Sequence, residues 1–188
     1  MFENLKRDAR QCAKWYNDPG FWIVAVYRFG VWAHALPNPL LRIPMWMLYR
    51  IFRLPYFFFK VHLWAGAGGA RIGPGFRLIH PTNVVIGTGV EIGENCLIFH
   101  DVTLGTGQIP GTPKIGSNVD IYCGARVLGG VSIGDDAMIG ANCVVTRDIP
   151  AASIVVPPPA RVMSRALSQV ARRADQTDEL GHGQPPAE

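Results

Sequence analysis

Across residues 84–145 an aliphatic side chain returns at every sixth position. It does so at Ile86, Ile92, Ile98 and Leu104, then, after one longer gap, at Ile115, Ile121, Val127, Ile133, Ile139 and Val145. A second series of smaller residues precedes these by two, at Val84, Val90, Cys96 and Val102 and again at Val119, Ala125, Val131, Ala137 and Cys143. Positions two apart on an extended chain share a face, so each hexad presents two side chains to one inward wall. Six is not a helical period, and Gly87, Gly93, Gly105, Gly116, Gly134 and Gly140, each following a larger aliphatic, would weaken a helix further. Glycine at these places answers to a corner that needs unusual dihedrals or close backbone approach. A hexapeptide period predicts a parallel β-helix.

The gap between Leu104 and Ile115 is eleven residues instead of six, so residues 106–113 include about five inserted ones. Gly107, Pro110, Gly111 and Pro113 give this insertion turn chemistry, and a loop leaving a regular scaffold is a natural place for a binding site. Upstream, residues 1–17 read as a polar helix stopped by Asp18, Pro19 and Gly20. Residues 21–64 read as two or three short helices, divided near Pro37, Asn38 and Pro39 and kinked near Pro55. Beyond Val145, residues 153–156 suit a last strand and Pro157, Pro158 and Pro159 turn the chain away. A short basic helix is expected at 164–174, and a disordered polar tail after it. The organisation expected is a helical, basic and aromatic segment at 1–64, a β-helix at 65–163 and a tail at 164–188.

Charge changes the picture only in the first half. No Asp or Glu occurs between Asp18 and Glu91, whereas Arg28, Arg42, Arg50, Arg53, Lys60, Arg71 and Arg77 all do. Read as one helix over 42–60, Arg42, Arg50, Arg53 and Lys60 fall within an arc of roughly 80°. Beside Trp, Phe and Leu, such a stripe suits peripheral contact of residues 21–64 with anionic lipid. It equally suits aromatic packing against the β-helix or a neighbouring subunit with the arginines in water. The net charge of +4 is modest and no recognition motif accompanies it, so nucleic acid is not an expected partner. The four cysteines lack the spacing of a disulfide or zinc framework; Cys96 and Cys143 fall on the inward register as small hydrophobes, and no metal is expected. The charged start shows no secretory signal, and the apolar run at 21–36 is short for a membrane span, so a cytoplasmic location is expected.

Two histidines on the repeats, His80 and His100, are the candidate catalytic residues. If three hexads make a coil, so that residues eighteen apart stack, His80 falls near Ile98 and His100 two residues further along, at one corner beside the inserted loop. A neutral imidazole there can take a proton from an attacking hydroxyl and return it to a thiolate leaving group. Backbone N–H groups at a glycine corner such as Gly105 can hold the developing oxyanion.

The hexads resemble those of the left-handed β-helix acyltransferases, which set three in each coil; this resemblance implies a mainly β fold of about four coils behind an N-terminal helical segment. Within that class Val102-Thr103-Leu104-Gly105, Pro113-Lys114-Ile115, residues 124–129 and Pro159-Ala160-Arg161 are similar to serine acetyltransferase and to short polysaccharide O-acetyltransferases. The resemblance implies acetyl-CoA as donor, a homotrimer, His80 as the catalytic histidine, and Gly105, Gly124, Ala125, Gly140, Ala141 and Arg161 along the acetyl-CoA groove. The places of two family aspartates hold Ala65 and Ile79, and that of a loop histidine holds Thr112. A histidine ahead of Val-Thr-Leu-Gly resembles the polysaccharide enzymes better. The leading expectation is therefore O-acetylation of a sugar hydroxyl in a surface or exopolysaccharide precursor at the inner membrane face. Serine O-acetylation for cysteine synthesis is the alternative, and a non-catalytic trimeric scaffold the third reading.

Overall fold

The computed structural model describes residues 2–159. Three parallel sheets form the walls of a β-helix. The first holds His62–Leu63, Val85–Ile86, Thr103–Gly105, Arg126–Leu128 and Val144–Val145; the second Arg71–Ile72, Glu91–Ile92, Lys114–Ile115 and Ser132–Ile133. The third holds Arg77–Leu78, Leu97–Ile98, Asp120–Ile121, Met138–Ile139 and Ile154–Val155. Strands of two or three residues cannot persist singly, so the register carries the fold. Leu63, Ile86, Leu104, Val127 and Val145 stack on one wall, and Leu78, Ile98, Ile121 and Ile139 on another, all buried. Burying one such side chain fully contributes roughly 1.5–3 kcal/mol. Every member of the smaller series, from Val84 to Cys143, is buried as well.

The stack makes about five turns rather than four. The sequence hides the first because Leu63 is followed by Trp64 instead of glycine, although His62–Leu63 already pairs with Val85–Ile86.

Corner chemistry is divided between two residue types. Left-handed backbone falls on Asn95, Asn118 and Asp136, with φ of 55°, 57° and 58°, where a short polar side chain tolerates it. These side chains bond up the stack, Asn95 Nδ2 to Asn118 Oδ1 at 3.3 Å and Asn118 Nδ2 to Asp136 Oδ1 at 3.1 Å. Gly93 has no such dihedral. A Cβ on it would lie 2.6 Å from the Gly116 carbonyl carbon, so glycine is required there by the spacing of adjacent coils.

Helix α1 (Phe2–Arg10) ends well before residue 17 and is followed by a single 3-10 turn at Trp15–Asn17. Asp18 does more than stop that segment. Its carboxylate accepts from the N–H groups of Gly20 (2.8 Å) and Phe21 (3.4 Å) and caps α2 (Pro19–His34), with Pro19 in the first turn. Asn38 caps α3 (Pro39–Phe52) in the same way through the Leu40 N–H, and α4 (Leu54–Phe59) closes on a left-handed Lys60. The chain breaks at Arg53, so residues 42–60 are not one helix and the 80° arc of four cations does not form.

Two cations of the acid-free half are structural. Arg28 is buried and grips Asp8 of α1 with two bonds, Nε to Oδ2 at 2.9 Å and Nη2 to Oδ1 at 3.1 Å. It also donates to the carbonyls of Ile72 and Gly73, while Asp8 accepts from the Phe76 N–H, so one ion pair ties α1 and α2 to the first coil. Arg53 lies over the rings of Trp64, Tyr56 and Tyr49, 4.7, 5.5 and 5.6 Å from their centroids. No helix among the described residues is long and apolar enough to cross a membrane. The expected helix at 164–174, the tail beyond it and Arg161 lie outside the described residues.

Candidate active site

His80 and His100 face each other across adjacent coils, their ring centroids 6.3 Å apart and their planes inclined at 62°. An irregularity in coil length sets this alignment. Leu78 pairs with Ile98, twenty residues later, whereas Ile86 pairs with Leu104, eighteen later. Two extra residues therefore sit in the turn between Leu78 and Ile86. They place His80 directly opposite His100, where a regular eighteen-residue coil would put it opposite Ile98. The turn is tight: His80 has φ 50°, its carbonyl accepts from the Thr82 N–H at 2.6 Å, and Pro81 is buried beneath. The signal was present in the sequence, since Leu78 and Ile86 are eight apart and not six.

The His100 side of the corner is held from three directions. The His100 carbonyl accepts from the Gly124 N–H of the next coil at 3.3 Å. Asp101 donates its N–H to the Thr82 carbonyl at 2.9 Å and accepts from Asn83 Nδ2 at 2.5 Å. Arg126 donates to both the carbonyl and the carboxylate of Asp101, the latter at 3.3 Å. Asn83 is not expected here from sequence, and Arg126 enters there only as part of the 124–129 motif; the coil register brings both to this corner. Below it, Phe99 stacks on Tyr122 at 5.0 Å. His80 is exposed, whereas His100 is half-buried with its Nδ1 enclosed and without a hydrogen-bond partner. A buried nitrogen left open beside an exposed imidazole suits a site that receives a polar group of a ligand.

Five of the six expected groove residues are described. Gly105 ends a central strand of the first wall and faces open space, with no atom beyond its chain neighbours within 4 Å of where a Cβ would stand. Gly124 has φ 74° and turns the next coil, the Asn142 side chain lying too close above it to admit a Cβ. Gly140 and the half-buried Ala141 lead into that same Asn142 turn, which bonds back to the Cys123 carbonyl at 2.9 Å. Ala125 is wholly buried on the inward wall. The inserted loop is exposed over residues 106–111 and is anchored at Thr112, whose Oγ1 donates to the Gly89 carbonyl at 2.9 Å.

Comparison with known proteins agrees with this architecture. A family profile described as bacterial transferase hexapeptide (six repeats) matches residues 112–147. The serine acetyltransferase of Bacillus licheniformis is 36% identical over 153 residues, covering 79% of this chain and 69% of that protein. That of Helicobacter pylori is 44% identical over 100 residues, covering 52% and 58%. Among solved structures, Neisseria gonorrhoeae serine acetyltransferase in complex with serine superposes with a TM-score of 0.64 at 28% identity, covering 86% of this chain and 68% of that one. The Brucella abortus serine acetyltransferase in complex with coenzyme A gives 0.63 at 26%, covering 87% and 67%. The chain spans only about half the length of several curated relatives, 47% of that from Synechococcus elongatus and 44% of that from Mycobacterium tuberculosis.

These likenesses overturn the expectation of a sugar acceptor, because the relatives compared, at up to 44% identity, and the solved structures compared are serine acetyltransferases. The residues that had argued against serine occupy these places in the fold. Ala65 is wholly buried with its N–H on the Tyr49 hydroxyl at 3.2 Å, Ile79 is half-buried in the wall, and Thr112 anchors the loop. On 36% identity across more than two thirds of the Bacillus protein, together with the hexapeptide coils, this chain belongs to the serine acetyltransferase family of hexapeptide-repeat transferases.

Proposed function

We propose that the chain is an acetyl-CoA-dependent serine O-acetyltransferase and that His80 is its general base. The observation that carries this reading is the rung formed by exposed His80 and half-buried His100, built into a scaffold shared with serine acetyltransferases. The serine hydroxyl gives its proton to the His80 imidazole as its oxygen attacks the thioester carbonyl carbon. The carbon–sulfur bond then breaks and the departing thiolate takes the proton, so the products are O-acetyl-L-serine and free coenzyme A. His100 assists by positioning: its enclosed, unpartnered Nδ1 is available to a polar group of the acceptor.

The open space at Gly105 fits a donor laid along the coils, since nothing within 4 Å competes for it. Gly105, Gly124, Gly140 and Ala141 would line its groove, buried Ala125 would form the floor, and Arg161 would meet a phosphate. A homotrimer, with each groove between two copies, belongs to the same proposal. So does the division of labour between a helical segment at 1–64, an acyltransferase body at 65–163 and a tail at 164–188. The test is release of coenzyme A thiol from acetyl-CoA with and without L-serine. Serine-dependent release is expected; release no faster with serine than without it would overturn the acceptor.

A further inference from the structure

We propose that helices α3 and α4 form a docking surface for an anionic phospholipid bilayer. On α3, Leu40, Ile43, Met47 and Ile51 follow one another at spacings of three, four and four, which places them on one face. That face is uncovered, the four residues being 81, 57, 59 and 59% exposed. It runs on into α4, where Phe57 and Phe58 are 82 and 81% exposed. Adjoining it is a cleft of about 650 Å³ into which Arg50, Arg53, Lys60 and His62 converge, with Phe57 and Phe58 on its rim. Arg53 Nε is enclosed without an acceptor.

Charge identifies the occupant. No carboxylate occurs between Asp18 and Glu91, so neither helix carries an acid and none lines the cleft. A second copy docked face to face would set Arg50 and Lys60 against their equivalents with no acid from these helices between them. An anionic bilayer answers both halves of the surface: acyl chains receive Met47, Ile51, Phe57 and Phe58, and phosphate headgroups enter the cleft. This inference does not depend on the acetyl-transfer reading, and none of these side chains belongs to the His80 corner.

The experiment is co-sedimentation of the full chain with vesicles of phosphatidylcholine containing 30% phosphatidylglycerol (roughly physiological surface charge) or of phosphatidylcholine alone. Binding is expected to the first and at least about tenfold weaker to the second. The double variant Phe57→Ser, Phe58→Ser should keep its circular dichroism melt and lose about tenfold or more in partitioning. Arg50→Gln with Lys60→Gln should lose roughly thirty-fold on the anionic vesicles. Equal binding by the parent and both variants, or none to anionic vesicles, would overturn the proposal. Sedimentation velocity gives the other outcome: if the phenylalanine variant breaks an oligomer while the parent ignores vesicles, the face belongs to a second copy.

Discussion

A carboxylate taken out of water has to find donors around it, and Asp8 finds three in Arg28 Nε, Arg28 Nη2 and the Phe76 N–H. Removing it leaves a buried guanidinium unpaired, a loss on the order of 3–5 kcal/mol. Asp8→Ala should therefore lower the unfolding free energy by that amount, measured by chemical unfolding. Cysteine is the second residue-scale case. Burial pushes the Cys96 thiol up to about 11, and its Sγ donates to the Gly116 carbonyl at 3.1 Å. Alkylation with iodoacetamide near pH 8, read by mass spectrometry of the folded protein, should modify half-exposed Cys123 and leave Cys96 intact. Asp120 makes the third. Burial raises its carboxyl above the ordinary range, so the folded state favours the protonated form. The stability this contributes is present below the unfolded carboxyl's range and is lost as pH rises through the raised value. Asp120→Asn should raise the melting temperature at neutral pH and bring no gain below about pH 3, as scanning calorimetry at the two pH values would show.

At the scale of elements, the walls were legible because a two-residue strand with one inward position leaves a strict hexad trace, and the inserted loop was legible as an eleven-residue gap. Two features escaped. The first coil lacks the glycine mark after Leu63, and the two-residue bulge before Ile86 shows only as one spacing of eight. That bulge is what sets His80 opposite His100, so coil length fixes the geometry of the site while side-chain type fixes its chemistry. The helices were readable from their prolines, but a wheel drawn through Arg53 was not, since the chain turns there and the arginine packs on Trp64. Gly93 tests the coil spacing. Its Cβ would meet the Gly116 carbonyl backbone, and Gly93→Ala should lose roughly 1–3 kcal/mol by chemical unfolding.

For the whole molecule, buried stacks of aliphatics make a rigid post, and the Arg28–Asp8 pair fastens the helical segment to its first coil. The proposed chemistry sits at one corner of that post, where an imidazole stands exposed beside another whose ring nitrogen has no partner. The central claim is that proton transfer at this corner passes through His80. Its most direct test is the rate of coenzyme A release from acetyl-CoA with L-serine for the parent and for His80→Ala, the two matched in thermal melt. A fall of about 10²–10⁴-fold in kcat is predicted for the variant, and an undiminished kcat would contradict the account.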